Sequence, residues 1–132
     1  ILSVQLSNSG LKVSKIILGC MSYGSPEWQS WILEEEESIK HIKAVCLSSL
    51  PLLNMTPYLN LKVYSNGLSK VILGKAIKQH NLPQDEIIVM TKVCPTSHFH
   101  LSVCHTHVHS GYIFNSVKKS LECLQLDYVN VL

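Results

Sequence analysis

The chain reads as an α/β fold of the parallel kind, and three observations lead there. Short continuous apolar runs near residues 16, 87 and 128 have the composition of strands covered on both faces. Segments near residues 34, 68 and 113 repeat their apolar side chains at helical spacing, so strands and helices alternate. With 46% apolar and 15% charged residues over 132 positions, the composition is that of a globular chain, one domain or part of one. This rhythm alone fits both a closed barrel and a doubly wound sheet.

Val4 to Leu6 and Leu11 to Val13 flank Asn8-Ser9-Gly10, residue types that tolerate positive φ, and predict a small hairpin. Ile16-Ile17-Leu18 is the first strand, running into Gly19-Cys20-Met21-Ser22-Tyr23-Gly24. Glu34 to Glu37 open a helix with Ile39, Ile42 and Cys46 on one face, and carboxylates there suit the helix's positive end. Neighbouring side chains on a helix diverge, so this run is a solvated helix start and not a metal site. Leu47 to Lys62 carries Pro51 and Pro57, which do not suit a central strand, so the second strand is expected to be degenerate. Asn54-Met55-Thr56 is formally a glycosylation sequon, without consequence in a cytosolic chain.

Val63-Tyr64 reads as a strand end followed by an Asn66-Gly67 turn and a helix that Ser69 or Asn66 caps. Its inner face is Ile72, Leu73, Ala76 and Ile77; Lys70, Lys75, Lys78 and Gln79 are assigned to the outer face. Asn81-Leu82-Pro83 stops it, and Ile87 to Lys92 is a buried parallel strand. A last helix turns Ile113, Phe114, Val117, Leu121 and Leu124 inward and Asn115, Lys118, Lys119 and Glu122 outward, before a strand begins at Tyr128.

Several function classes fall away on composition. No apolar run approaches the ~18 residues of a membrane helix, and Ile1 to Gly10 lacks the pattern of a signal peptide, so a cytoplasmic protein is expected. Cys20, Cys46, Cys94, Cys104 and Cys123 are odd in number and widely spaced, as reduced thiols are. A formal charge of +2, with eleven lysines and no arginine, excludes a nucleic-acid partner. Cys94, His98, His100, Cys104, His105, His107 and His109 crowd one stretch, and alternate histidines of an extended chain share a side. They are a Zn²⁺ candidate without standard paired-ligand spacing, and no metal site is assigned.

Three stretches in this order, GCMSYG, VYSNGLS with VILGKAI, and VMTKV, resemble the signatures of the aldo-keto reductases, and among them the fungal aryl-alcohol and versiconal hemiacetal acetate reductase branch. The likeness covers residues 1–132, read as one partial aldo-keto reductase domain, except Leu47 to Lys62 and most of Val93 to Gly111. It implies the N-terminal part of a (β/α)8 TIM barrel, about four βα units with the second strand degenerate. It also implies NADP(H)-dependent reduction of an aldehyde or ketone. Tyr64 would be the catalytic proton donor and Lys92 the catalytic lysine, with Cys20 and Met21 beside the cofactor and Tyr23, Trp28 and Trp31 as pocket walls.

Departures from the family pattern qualify that expectation. Leu59 stands where the family carries an aspartate that pairs with the lysine, and no Asp or Glu occurs from Ser38 to Gln84. Left buried without that partner, Lys92 would lose charge, by shifts that reach ~3–5 units, and would no longer acidify Tyr64. The family's catalytic histidine falls after Leu132. Lys70 stands for a glutamate, Asn115 and Asn130 for aspartates, and Cys123 for an arginine. The expectation is therefore a fragment of a reductase, inactive alone, that self-associates through open barrel edges. Two alternatives stand beside it: a non-catalytic remnant or interaction protein keeping half the fold, and a metal binder built on the histidine-rich loop.

Overall fold

The computed structural model describes residues 3–47, 53–56, 65–92 and 110–132. β1 (Ser3–Gln5) and β2 (Lys12–Ser14) pair antiparallel with Val4 opposite Val13, the expected hairpin. Gly10 takes φ 76 at the turn, where a side chain would be strained. Ser9 completes it, its hydroxyl donating to the Leu6 carbonyl and accepting from the Leu11 N–H.

The main sheet is β3 (Ile17–Gly19), β4 (Leu53–Thr56) and β5 (Ile87–Val89), in that spatial order and all parallel. Leu18 faces Met55 in one register and Met55 faces Val89 in the next. Beyond β5 the chain adds a parallel bridge from Met90 to Val131. It is fastened by Thr91 N–H to Val131 O and Asn130 N–H to Val89 O, both 2.9 Å. Tyr128 and Gln84 exchange bonds beside it, each side chain reaching the other's carbonyl. Successive strands thus add on one side, in chain order. A doubly wound sheet reverses its order at a switch point; no reversal occurs among the described strands, and the arrangement is that of a barrel's opening strands, here unclosed.

Two expectations about strands are corrected. The chain does build a central strand inside Leu47 to Lys62: β4 occupies the window between Pro51 and Pro57, where every residue keeps its ladder N–H. Ile16 to Leu18 is not covered on both faces. Ile16 is 73% exposed and Ile17 46%. β5 matches its expectation, with Ile87, Ile88 and Val89 all buried.

Three helices cover the sheet: α1 (Glu35–Leu47), α2 (Leu68–Gln79) and α3 (Ser110–Leu124). Their buried faces meet β5 in one apolar cluster that includes Ile39, Ile42, Ile72, Leu73, Ala76 and Leu124. Fully burying an aliphatic side chain contributes roughly 1.5–3 kcal/mol, so this cluster holds the helices to the sheet. α1 begins with Glu35, Glu36 and Glu37 as expected, and Ser38 satisfies the carbonyls of Leu33 and Glu34.

α2 and α3 turn their expected faces to the core except at one residue each. Lys70 is buried, 4% exposed, and its amine donates to the Ser120 hydroxyl at 2.7 Å. Lys70, Leu73, Gly74 and Ile77 form one helical stripe, which brings the lysine inward with them. Phe114 is 74% exposed, because the line facing the core runs through Val117, Ser120 and Leu124 instead. α2 and α3 approach closely at Gly74, where a Cβ would lie 2.2 Å from the Leu124 carbonyl oxygen. Among the described residues Cys20, Cys46 and Cys123 are free thiols.

Candidate functional site at the carboxyl ends of the strands

Parallel strands place all their carboxyl ends on one side, and in barrels of this type that side carries the chemistry. Cys20 and Met21 leave β3 there, and Lys92 leaves β5 there, one residue past Thr91. Tyr64 lies outside the described residues, immediately before Ser65, and so do Leu59, Cys94, Cys104 and the histidines from His98 to His109. Among the described residues no group of three or more His, Cys, Asp or Glu side chains is arranged to hold a metal ion.

Cys20 and Met21 divide their roles. Cys20 is fully buried in the apolar cluster, and burial pushes its thiol up to about 12, so it stays protonated and inert. Met21 is 39% exposed and is the side chain of the pair that can touch a ligand. Tyr23 is 2% exposed; burial, with Cys20 beside it, raises its phenol to about 12, and it stacks edge-on to His41 at 6.4 Å. It is a core residue of the loop more than a pocket wall. Trp28 and Trp31 form a second edge-on pair at 6.1 Å, with Trp31 49% exposed.

Lys92 is exposed. An exposed amine-bearing side chain and an exposed thioether thus lie at the same end of one sheet.

Sequence reasoning missed the residues that brace this end. Ser65 has φ 44, unusual for a residue with a Cβ, and is 1% exposed. Its hydroxyl accepts the Ser25 N–H at 3.2 Å. Ser69 or Asn66 was expected to cap α2, yet the N-cap is Gly67 with no side-chain bond, and the Ser69 hydroxyl donates to the Cys20 carbonyl at 2.5 Å. The signal available was Gly24: a small residue directly before Ser25 permits a close approach.

Residues 15–132 match the model described as the aldo/keto reductase family. The chain belongs to this family. It is 46% identical over 88 residues to versiconal hemiacetal acetate reductase of Aspergillus parasiticus, covering 67% of this chain and 24% of that protein. It is 36% identical over 149 residues to an aldo-keto reductase of Alternaria alternata, covering 97% of this chain and 39% of that protein. A putative aryl-alcohol dehydrogenase of Schizosaccharomyces pombe is 40% identical over 88 residues, 66% of this chain and 24% of the relative. These relatives place the chain in the fungal branch. The chain thus spans well under half the length of these curated relatives. An aldo-keto reductase of Bacillus halodurans solved in its holo form superimposes with a TM-score of 0.68 at 28% identity, over 97% of this chain and 38% of that one. Such neighbours are (β/α)8 barrels, so the unclosed sheet is part of that architecture. The family is one of oxidoreductases acting on carbonyls with a nicotinamide cofactor.

Proposed function

We propose that this chain serves an NADP(H)-dependent reductase that converts an aldehyde or ketone to an alcohol, with the part described here inactive by itself. The observation that carries the proposal is that exposed Met21 and exposed Lys92 lie at the same, carboxyl, end of one parallel sheet in a family chain. The bound cofactor would supply the hydride. Tyr64 would donate the proton to the developing alkoxide, and Lys92 would make that phenol a better acid than its ordinary pKa of ~10 allows. Met21 would flank the nicotinamide. Cys20 contributes by holding the loop from the core side.

The exposed edge of β3 is the basis for proposing self-association through open sheet edges, since an unpaired strand edge is a template for another. We place the protein in the cytoplasm; among the described residues no helix is long and apolar enough to cross a membrane. A non-catalytic reading is favoured by one feature, Leu59 in place of the family's aspartate.

Fluorescence titration with NADPH, followed by NADPH consumption with a panel of aromatic aldehydes, decides between the readings. The reductase reading expects saturable NADPH binding by this chain and, in a protein that carries the rest of the barrel, a fall of about 10²–10⁴ in turnover for Tyr64→Phe with binding retained. Absence of saturable binding, in a protein with native circular dichroism, would leave the non-catalytic reading.

A further inference from the structure

Two hydroxyls on either side of the Ser65–Gly67 turn grip the loop that leaves β3. Ser69, 4% exposed, donates to the carbonyl of Cys20 at the loop's start, and Ser65, 1% exposed, accepts the N–H of Ser25 at its far end. Met21 lies between the two anchor points. The fit is close as well as polar: a Cβ on Gly24 would lie 2.1 Å from Ser65 Oγ and 2.3 Å from Ser65 Cβ. Serines near a helix start ordinarily bond to their own backbone. These two instead bond to residues 49 and 40 positions away, and Ser65 holds a left-handed backbone while doing so. Such strain persists only where the surroundings enforce it, and it gathers at functional sites.

We propose that Ser65 and Ser69 are positioning residues for the nicotinamide cofactor, clamping the Cys20–Ser25 loop so that Met21 is presented in its bound arrangement before the cofactor arrives. The inference rests on the reductase reading above and assigns residues to it that do not touch the cofactor. A loop already ordered loses little entropy on binding, and affinity rises by that amount. The clamp also ties the loop to the turn that directly follows Tyr64 in sequence.

The test uses the whole 132-residue chain labelled at its methionine methyl groups, with NADPH as the probe. Met21 reports the loop, and Met90, in the sheet, is the internal reference. In the cofactor-free protein, Ser65→Ala and Ser69→Ala are expected to shift or broaden the Met21 methyl signal and leave Met90 in place. Each is expected to weaken NADPH about five- to tenfold, the equivalent of one hydrogen bond. Ser69→Thr, which keeps a hydroxyl, should restore both readouts. Ser65→Gly suits the left-handed backbone and folds, yet lacks the oxygen, so it should loosen Met21 as Ser65→Ala does. Variants that lose thermal stability while keeping the wild-type NADPH affinity and Met21 signal would overturn the clamp, reducing it to a fold contact. A wild type with no saturable NADPH response would instead overturn the reductase reading, and the clamp's cofactor role with it.

Discussion

Helix α2 is seamed to its surroundings twice, and the seams share parts but not charge. Toward the β3 loop, Gly24 makes room and serine hydroxyls meet backbone groups. Toward α3, Gly74 makes room for the Leu124 carbonyl, and Lys70 donates to Ser120, which donates in turn to the Ser116 carbonyl at 2.8 Å. The first seam buries neutral groups; the second buries an amine, whose pKa burial holds below its ordinary 10.5, with Cys123 opposing the shift. Any two elements can approach closely where one supplies a glycine. A hydroxyl, however, satisfies a donor without neutralising a charge, so only the first seam is complete.

Gly74→Ala attacks what the seams share and should have the largest effect. The new Cβ would meet backbone atoms of Leu124 at 2.2 and 2.7 Å, which no rotamer change relieves. Overpacking of this kind typically costs ~1–3 kcal/mol, and a backbone clash sits at the upper end; with ~1 kcal/mol regained in helix propensity, a net loss approaching ~2 kcal/mol is expected. The urea midpoint measures it. Gly24→Ala, 2.1 Å from Ser65 Oγ, is the matching change in the other seam and should fall equally far.

Lys70→Met attacks the difference. It keeps the stem's packing and removes the charge, and should stabilise the protein by about 1–3 kcal/mol at pH 7. The pH arm sharpens this. Because the folded-state pKa of Lys70 lies below the unfolded 10.5, the unfolded chain binds more protons in that interval. The penalty is fully present below the folded pKa and fades as pH rises toward 10.5, so wild-type stability should gain on Lys70→Met over that window. Parallel stability curves for the two proteins would show that the amine carries no such cost.

The smallest effect is expected at the surface between α1 and α2. Lys75 pairs with Glu35 at 2.8 Å, with both side chains about half exposed. Lys75→Ala should change stability by no more than ~0.5 kcal/mol, and that little should vanish in molar salt.

The elements were legible where one signal dominated. Ile87-Ile88-Val89 is apolar throughout and is buried throughout; the glutamate run opens α1 where carboxylates suit a helix dipole. The alternation of strands and helices gave the class, while the choice of barrel needed the pairing order, which no local pattern contains. Errors arose where two rules competed. Lys70 was placed outside by residue type, although its spacing to Leu73, Gly74 and Ile77 put it inside. Pro51 and Pro57 suggested a broken strand, although a four-residue strand fits between them. At the site, Cys20, Met21 and Lys92 were found by motif and do lie at one end of the sheet, but the serines were not, since a hydroxyl that bonds 40 or 49 residues away leaves no periodic trace.

The spatial order β3, β4, β5 and then Val131 has a consequence for how the molecule comes into being. Each strand's neighbour is the one made just before it. As the chain leaves the ribosome, no strand has to wait for a partner still unmade, and parallel pairing, otherwise slow because its contacts are distant, becomes a series of short waits. β3 templates β4, and β4 templates β5. A fold whose first half can accrete in this way spends little time with an interior strand exposed, and the edge left open longest is the one that was made first.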